Sequence, residues 1–237
     1  HGKKLELCSF YLDDGFLAGD LEVVAAALSL LQTEGEALGL QLSIGKCELV
    51  LPDATPTVEL ERLFPADLLV DSETGESRVV TYGCFELLGA AVVSTEHCDA
   101  FVADRIAKAT ELLEKLPELG DPQVGLRLLR QCAGHCKMLH TMRTTPARLQ
   151  QTGLASFDKA VQSTFCLITG VAPSEAEWAQ ACRGFRHAGL GLRSTSKHSA
   201  AAFLASATAS QDLASKLDSE YELSLDTEGS DAFEALR

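Results

Sequence analysis

Long apolar segments are scarce in this sequence of 237 residues. No run approaches the roughly 20 apolar residues that a membrane-spanning helix needs, because Glu, Gln or Gly interrupts the longest ones. The start, HGKKLELCSF, lacks the apolar core and the small-residue cleavage site of a secretory signal peptide. The sequence therefore predicts no membrane association and an intracellular location, cytoplasm or nucleus, rather than secretion.

Positive charge is also scarce, with 20 Lys and Arg against 34 Asp and Glu and a formal net charge of -14. Because every added carboxylate opposes phosphate, this balance argues against a protein that coats nucleic acid non-specifically. It is compatible with nucleic acid held in a local basic groove. Aromatic residues make up only 6% of the chain, but the hydrophobic fraction of 46% is ample for a core.

The eight cysteines include no Cys-x-x-Cys pair, and the chain is too long to need disulfide staples. Most of them sit among apolar residues. They are therefore expected to be reduced, buried thiols of an intracellular protein.

The order of the predicted elements indicates an α+β first half followed by an all-α second half. Strands come first: a hairpin over residues 5–19, then, after a helix that Asp20 caps and Gly39 ends, a strand in LQLSI and extended chain in KCELVL. Residues 52–78, rich in proline and acidic side chains, are expected to be a loop or an insertion. Strand character returns in RVVTYGCFELLGAAVVS, with a bend at Gly83 or Gly89, and helices follow from Phe101 onward.

The stretch CSFYLDDGFLAGD places Asp13 and Asp14 side by side between apolar flanks, where the pattern predicts a hairpin. Two neighbouring carboxylates repel each other unless a cation lies between them, and hard cations such as Mg²⁺ take oxygen ligands. In a two-metal site, such ions activate an attacking hydroxyl and steady the leaving oxygen of a phosphoryl displacement. The plain alternative is an Asp-Asp-Gly turn, because Asp and Gly favour that geometry without any ligand.

FYLDDG resembles the Tyr-x-Asp-Asp box of reverse transcriptases, in which a hairpin of the palm domain presents metal-binding aspartates. Three further stretches resemble motifs of the same family in the same order: GLQLSIGKCELVL, FELLGAAV and GLGLRSTSKHSAAAFLAS. The last is similar to a stretch downstream of the thumb in non-LTR, LINE-type retroelement polymerases. The ordered set spans roughly residues 8 to 206 and is more specific than the first box alone.

The resemblance implies a partial polymerase palm, made of an antiparallel sheet with a helix, followed by an all-α thumb and post-thumb region. It implies these boundaries: palm 1–95 with an acidic insertion at 52–78, thumb-like helices 96–170, post-thumb helices 171–217 and an acidic tail 218–237.

By the same resemblance, Asp13 is the principal metal ligand and Asp14 its less directly coordinated partner. Tyr11 would pack beside the primer terminus, and Lys46 would lie near the phosphates of the incoming nucleotide, where an ammonium can neutralise or protonate pyrophosphate. Leu88 and Gly89 would bend the hairpin that supports the primer. The plain alternatives are strand core for Tyr11, a solvated strand end for Lys46 and an ordinary turn for the last pair.

The family's polymerase site needs a further aspartate from an earlier palm strand and fingers residues, all upstream of the Tyr-x-Asp-Asp box. The ten residues before Tyr11 contain no Asp. The chain is therefore expected to be a fragment with an incomplete two-metal Mg²⁺ site, inactive alone. Its expected partners are an RNA template, a DNA primer, deoxynucleotides and the missing N-terminal part of the same polyprotein.

Between Pro122 and Phe157 there is no Asp or Glu, and the charged side chains are Arg127, Arg130, Lys137, Arg143 and Arg148. One helix is predicted from Pro122 to Thr145, and Arg130 and Lys137, seven residues apart, would share a face of it. The resemblance places the thumb here, where Arg127, Arg130 and Lys137 would contact the phosphates of the template–primer duplex. The alternative is the solvated face of a bundle helix. Cysteine and histidine also recur on this predicted helix, but one helix rarely supplies all zinc ligands, which favours a structural role. The residues concerned are Cys132, His135, Cys136 and His140.

Three functions are open at this point. The first is the reverse transcriptase fragment, which would support Mg²⁺-dependent, RNA-templated DNA synthesis in the intact enzyme. The second is a non-enzymatic retroelement remnant that binds nucleic acid or another protein. The third is an unrelated α+β metal-binding domain in which Asp13 and Asp14 only form a turn.

Overall fold

The structure, a computed structural model, describes residues 4–52, 56–81, 84–93, 95–219 and 221. It divides into two units, residues 1–85 and 86–237. The helices predicted over 96–170 and 171–217 lie in the second unit, and the palm, thumb and post-thumb boundaries that the resemblance implies stay predictions. Nearly all of the predicted acidic tail, 218–237, and the predicted bend at Gly83 lie outside the described residues.

The first unit opens with an antiparallel hairpin of β1 (Leu7–Tyr11) and β2 (Asp14–Ala18). Helix α1 (Leu21–Ala37) follows at once, and the carbonyl oxygen of Asp20 accepts the N–H groups of Val23 and Val24 at 2.9 and 3.0 Å. Asp20 is the N-cap residue, as predicted, but its side chain makes no capping hydrogen bond. Gly39 ends the helix at φ +78°, in the left-handed region that glycine tolerates. The hairpin and the helix with its glycine stop confirm what the sequence predicts for this segment.

Residues 52–78 correct the prediction of a loop, because they contain α2 (Thr57–Leu63) and α3 (Ala66–Leu69). The apolar side chains of these two helices form the core of the first unit, together with those of α1 and of the short strand β3 (Leu49–Leu51). Pro56 and Pro65 suggested a loop, but each lies immediately before a helix. At that position the N–H group that proline lacks would have no helical hydrogen-bond partner, so its absence costs no stability. The buried residues are Leu60, Phe64, Leu68 and Leu69.

The predicted strand in LQLSI is also wrong, because residues 40–43 carry no strand and Ile44–Lys46 form a 3₁₀ turn. Strand β3 pairs in parallel with β4 (Val79–Thr81), and α2 and α3 form the crossover between them. Within the described residues, the hairpin and this parallel pair are separate two-stranded sheets, not one antiparallel sheet.

The boundary between the units falls within strand β5 (Cys84–Leu87), which pairs with β6 (Ala90–Val93) across a two-residue turn. Helices follow, as predicted: α4 (Thr95–Lys115), α5 (Pro122–Leu128), α6 (His135–Thr144), α7 (Gln151–Thr169), α8 (Glu175–Ala181) and α9 (Thr195–Leu217). Asp121 caps α5 by accepting the N–H groups of Gln123 and Val124. The described part of the chain is therefore a mixture of helices and small sheets, consistent with the predicted α+β class at this level.

A break at Gly134 corrects the prediction of one continuous helix from Pro122 to Thr145. Residues Leu129–Ala133 form a π-helical turn, and Gly134 leaves the helical region at φ -88° and ψ -129°. A Cβ at this position would lie 2.8 Å from the carbonyl oxygen of Leu129. Side chains before and after Gly134 consequently do not follow the spacing of a single α-helix.

The centre of the bundle is formed by buried side chains from α4 to α9 and the connecting turns, with Phe157, Leu154, Leu129 and Met142 at 0% exposure. Among the residues that the structure describes, no helix combines the length and the apolar character that crossing a bilayer requires.

Candidate functional site

The aspartate pair lies at the tip of the β1–β2 hairpin. Tyr11 pairs with Asp14, so Leu12 and Asp13 are the two turn residues, and both carboxylates are exposed. Leu12 is 85% exposed and has a φ of 57°, a left-handed conformation that costs a leucine roughly 1–2 kcal/mol. Backbone strain of this kind persists where the surrounding structure or a function requires it.

The glycine at position 15 is explained by a local contact that the sequence did not suggest. A Cβ there would lie 2.5 Å from the ring of Phe10, which therefore covers this position. Tyr11, 61% exposed, is at the surface, and the alternative of strand core is wrong.

Asp13 and Asp14 supply carboxylate oxygens of the kind that Mg²⁺ prefers, so their chemistry fits a divalent cation. Among the described residues, however, no three His, Cys, Asp or Glu side chains are grouped so that they could hold a metal ion. The described hairpin offers two donors of a site, and any further donor has to come from elsewhere.

Lys46 is exposed at the end of the 3₁₀ turn, not at the end of a strand as expected. A second cation that the sequence did not single out, Arg78, lies close by, since a Cβ on Gly45 would be 3.7 Å from its guanidinium. Arg78 is paired with Asp71. The pKa of Asp71 is lowered first by the N–H groups of Thr74 and Glu73 and then by Arg78. Lys46 is therefore the more available cation of the two.

Leu88 and Gly89 form the turn between β5 and β6, as the resemblance implies. Both have positive φ, 48° and 74°, which is the pattern of a type I′ hairpin turn. The carbonyl oxygen of Gly89 accepts a hydrogen bond of 2.9 Å from Arg105, whose guanidinium lies 4.8 Å from the ring centre of Phe101. The turn is thus anchored on α4 in the second unit, whereas the aspartates belong to the first.

The three predicted thumb cations have different surroundings. Arg127 is exposed and donates to Gln131 at 3.4 Å, and Lys137 is exposed on α6. Arg130 is half-buried, with its guanidinium 4.7 Å from the ring centre of Phe185. Because Gly134 separates Arg130 from Lys137, the prediction that these two share one helix face is wrong.

The sequence analysis missed a second stretch without acidic residues, from Trp178 to Gln211. It contains four cations, Arg183, Arg186, Arg193 and Lys197, and its lack of Asp and Glu is the same sequence signal that marks residues 122–157. The fold brings the two stretches together: Arg130 stacks on Phe185, and the rings of His135 and His198 meet edge to face at 5.4 Å.

A cavity of about 280 Å³ lies between α7, α8 and the start of α9. Trp178 and Cys182 line it, together with the cations Lys159, Arg193 and Lys197. Burial raises the pKa of the Cys182 thiol, and Asp158 adds to the rise while Lys197 opposes it. The Cys182 thiol is therefore kept protonated. The three cations of the wall face two acids that also line it, Asp158 and Glu175.

The cysteines and histidines of residues 132–140 do not come together as a metal site in the described structure. Cys132 and Cys136 are exposed, and His135 turns toward α9. His140 lies near the β5–β6 turn, since a Cβ on Gly89 would be 4.0 Å from its ring. The exposure of Cys132 and Cys136 contradicts the buried thiols expected from the sequence.

His135 is expected to make stability depend on pH. Its pKa is lowered below the ordinary 6.5 first by burial, then by His198 and Arg193, against Asp158. Its buried Nε2 has no hydrogen-bond partner among the described residues, so a proton there adds an unsatisfied charged donor. Because the unfolded chain binds the proton more readily, this contribution is complete above 6.5 and is lost as pH falls from 6.5 toward the folded pKa.

The test is thermal unfolding measured from about pH 8 to about pH 5, the range in which histidine titrates. We expect the unfolding midpoint of the wild type to fall more steeply below the ordinary histidine pKa than that of His135→Gln. Parallel curves for the two proteins would contradict the assignment to His135.

Comparison with known proteins adds nothing to this geometry: no family model, no curated protein and no solved structure matches the chain.

Proposed function

We propose that the chain is the C-terminal palm and thumb portion of a retroelement-type reverse transcriptase, and that Asp13 and Asp14 are part of its metal site. The observation that carries the proposal is the hairpin tip, where two adjacent carboxylates are exposed, Asp13 in the two-residue turn and Asp14 at the start of β2. A plain turn explains one aspartate; it does not explain two uncompensated charges beside a strained Leu12.

The distribution of charge in the second unit supports the same proposal. In a chain of net charge -14, all the charged residues from 122 to 157 are basic. Arg127 and Lys137 are exposed on α5 and α6, in the region that a thumb would occupy. Exposed cations on helices suit contacts to phosphate, which position a duplex without reading its sequence.

In the proposed site, Asp13 and Asp14 would hold Mg²⁺ with a further carboxylate from another segment. Mg²⁺ would supply charge neutralisation at the reacting phosphate and a more acidic primer hydroxyl. Lys46 would neutralise the departing pyrophosphate, and Tyr11 and the Leu88–Gly89 turn would contact the primer.

The 237-residue chain with primer, RNA template, deoxynucleotides and Mg²⁺ is expected to incorporate no nucleotide. Two carboxylates on one hairpin do not organise two metal ions. When the segment encoded upstream in the same reading frame is supplied, as one polypeptide or in trans, incorporation is expected, and Asp13→Asn should abolish it. The measurement is extension of a labelled primer resolved on a gel.

Glu36→Gln, at an exposed position of α1, is the matched control and should leave incorporation unchanged. Incorporation by the isolated chain that survives Asp13→Asn would contradict the proposal, and so would failure of the completed protein to extend a primer.

A non-enzymatic nucleic-acid-binding remnant is the second candidate, and the meeting of two acid-free stretches in the second unit favours it. This unit contains neither Asp13 nor Asp14. The candidate predicts binding without incorporation even after the upstream segment is supplied, so the experiment above separates the two.

A further inference from the structure

We infer that the loop between α8 and α9, residues 184–191, forms with Arg130 a binding site for single-stranded nucleic acid in which Phe185 is the stacking platform. The inference goes beyond the proposed function, because it needs neither the aspartate hairpin nor a template–primer duplex. It rests on the exposure of one aromatic ring, the stiffness of the loop that carries it and the charge around it.

Phe185 is 64% exposed, although it is a large apolar side chain on a well-packed unit. The Arg130 guanidinium covers one side of the ring at 4.7 Å from its centre. A Cβ on Gly191 would lie 3.8 Å from the ring edge, so a third residue supports it. One face of the Phe185 ring is therefore covered by the Arg130 guanidinium, and the exposed part of the ring is accessible to a second planar group.

The loop is held rigidly against α8 by its backbone. Leu190 and Gly191 donate to the carbonyl oxygens of Ala181 and Arg183, at 2.9 and 2.8 Å. Gln180 donates from its side chain to the carbonyl oxygens of His187 and Ala188, at 2.7 and 3.0 Å. A ring on such a loop loses little conformational freedom on binding, so more of the contact energy remains as affinity.

The charged residues that flank Phe185 in the sequence are all basic. Arg183 and Arg186 flank it in sequence and are exposed, and no acidic residue occurs from Trp178 to Gln211. Further along, Arg193 and Lys197 are exposed and line the cavity that Trp178 walls. In a chain of net charge -14, a stretch with four cations and no acid would attract an anionic ligand.

A solvent-facing aromatic ring among arginines suits a ligand that carries both a flat base and phosphates. Stacking on a side chain requires an unstacked base, which a single strand offers and a duplex does not. Such stacking tolerates any base, whereas the phosphates supply a salt-dependent attraction. Single-stranded RNA or DNA therefore fits this site better than a duplex.

The test is fluorescence anisotropy of the full chain with labelled oligo-uridine, labelled oligo-deoxythymidine and a duplex of equal length. We expect the single strands to bind more tightly than the duplex, and Phe185→Ala to weaken single-strand binding by at least about fivefold. Arg186→Ala should reduce the slope of log affinity against log salt by about 0.7, the value for one phosphate contact to a single strand. RNA or DNA preference is read from the two single strands.

Two matched controls keep the test sharp. Leu167→Ala removes a large side chain with 71% exposure from α7, and Lys115→Ala removes an exposed cation from α4. Both should leave affinity and salt slope unchanged, and circular dichroism should show all four variants folded. Equal affinity of Phe185→Ala and wild type, or a duplex preference that Phe185→Ala does not alter, would overturn the inference. Neither result bears on primer extension, so the site and the proposed function fail separately.

Discussion

Gly189→Ala is expected to lower the free energy of unfolding of the second unit by about 3 kcal/mol or more. A Cβ at this buried position would lie 2.0 Å from the carbonyl oxygen of Arg183, 2.4 Å from its carbon and 2.7 Å from the oxygen of Gln180. These are backbone atoms of α8 and its end, and they cannot rotate away as a side chain would. The loop itself has to move.

Movement of the loop breaks the hydrogen bonds that hold it. The N–H groups of Leu190 and Gly191 would leave the carbonyl oxygens of Ala181 and Arg183, and each lost bond costs about 0.5–1.5 kcal/mol. Leu192, 4% exposed, follows directly and belongs to the central core, so the displacement reaches buried packing. The unfolding midpoint should fall by roughly 6–12 °C in a chain of this size.

Gly184→Ala is the matched control, because it makes the same chemical change in the same loop. A Cβ at Gly184 meets nothing within 4 Å, and its φ of -66° suits alanine. We expect it to be neutral or to raise stability by about 0.4–1 kcal/mol through the unfolded state. Both variants are compared by calorimetry or by thermal circular dichroism. Equal midpoints for Gly189→Ala and wild type would show that the loop is not tightly packed.

The same pair of variants connects stability with the proposed single-strand site. Because Gly189→Ala displaces the loop that carries Phe185, single-strand affinity should fall as it does for Phe185→Ala. Gly184→Ala leaves the loop in place and should keep that affinity. The position of the Phe185 ring therefore depends on the close packing of the loop at Gly189.

The elements that the sequence predicts correctly are those specified by neighbouring residues. Asp121 before Pro122 predicts the start of α5, and the N–H groups it accepts confirm it. The hairpin around Asp13 has turn residues between two runs of strand formers, and Gly39 stops α1 where expected. In each case the physical cause lies within a few residues of the element.

The errors have causes that only packing reveals. Leu60 and Phe64 lie in a segment whose prolines and acids suggest a loop, but the helices form because these apolar side chains are buried against β3. The break at Gly134 depends on the contact with the carbonyl oxygen of Leu129, which no period of apolar residues records. In the helices α2 and α3, tertiary burial outweighs the local preference for a loop. At Gly134, a close approach of two backbone segments outweighs the local preference for a continuous helix.

The candidate sites divide in the same way. Asp13 and Asp14 are adjacent in sequence, so their juxtaposition could be predicted. Arg130 and Phe185 are far apart in the sequence but in contact in the fold. Only the fold therefore shows that the two acid-free stretches meet. The distribution of charged residues along the sequence predicts which segments are basic. It does not predict which of their cations pack against an aromatic ring.

Asp158 is expected to be the carboxylate whose loss destabilises the second unit most. It lies within α7 and accepts five hydrogen bonds from the start of α9. Oδ1 accepts from the N–H and hydroxyl of Thr195 at 2.7 and 2.8 Å. Oδ2 accepts from the Ser194 hydroxyl and from the N–H and hydroxyl of Ser196, at 2.7, 3.1 and 2.8 Å. One side chain thus fastens a 23-residue helix to the centre of the bundle.

Asp158→Ala should therefore cost about 3 kcal/mol or more, because it leaves buried donors without an acceptor. Thr195 is 0% exposed, so water cannot replace the carboxylate at its N–H, whereas its hydroxyl still has the carbonyl oxygen of Leu154 at 3.3 Å. Asp158→Asn keeps the shape and one oxygen acceptor but turns the other oxygen into a donor facing three donors. Roughly half of the loss is expected for this variant, since hydrogen bonds to one of the two oxygens remain.

Asp121→Ala is the control, since Asp121 also accepts two backbone N–H groups at a helix start but is exposed. It should cost only about 1 kcal/mol, the usual value for an N-cap, because water takes over its role. Chemical denaturation of the three variants and the wild type gives the free energies directly. If Asp158→Ala cost no more than Asp121→Ala, the start of α9 would be held by its own hydrophobic packing and the five hydrogen bonds would contribute little. If instead the order is Asp158→Ala, then Asp158→Asn, then Asp121→Ala, the buried carboxylate fixes where α9 begins, and with it the position of Arg193 and Lys197 at the cavity.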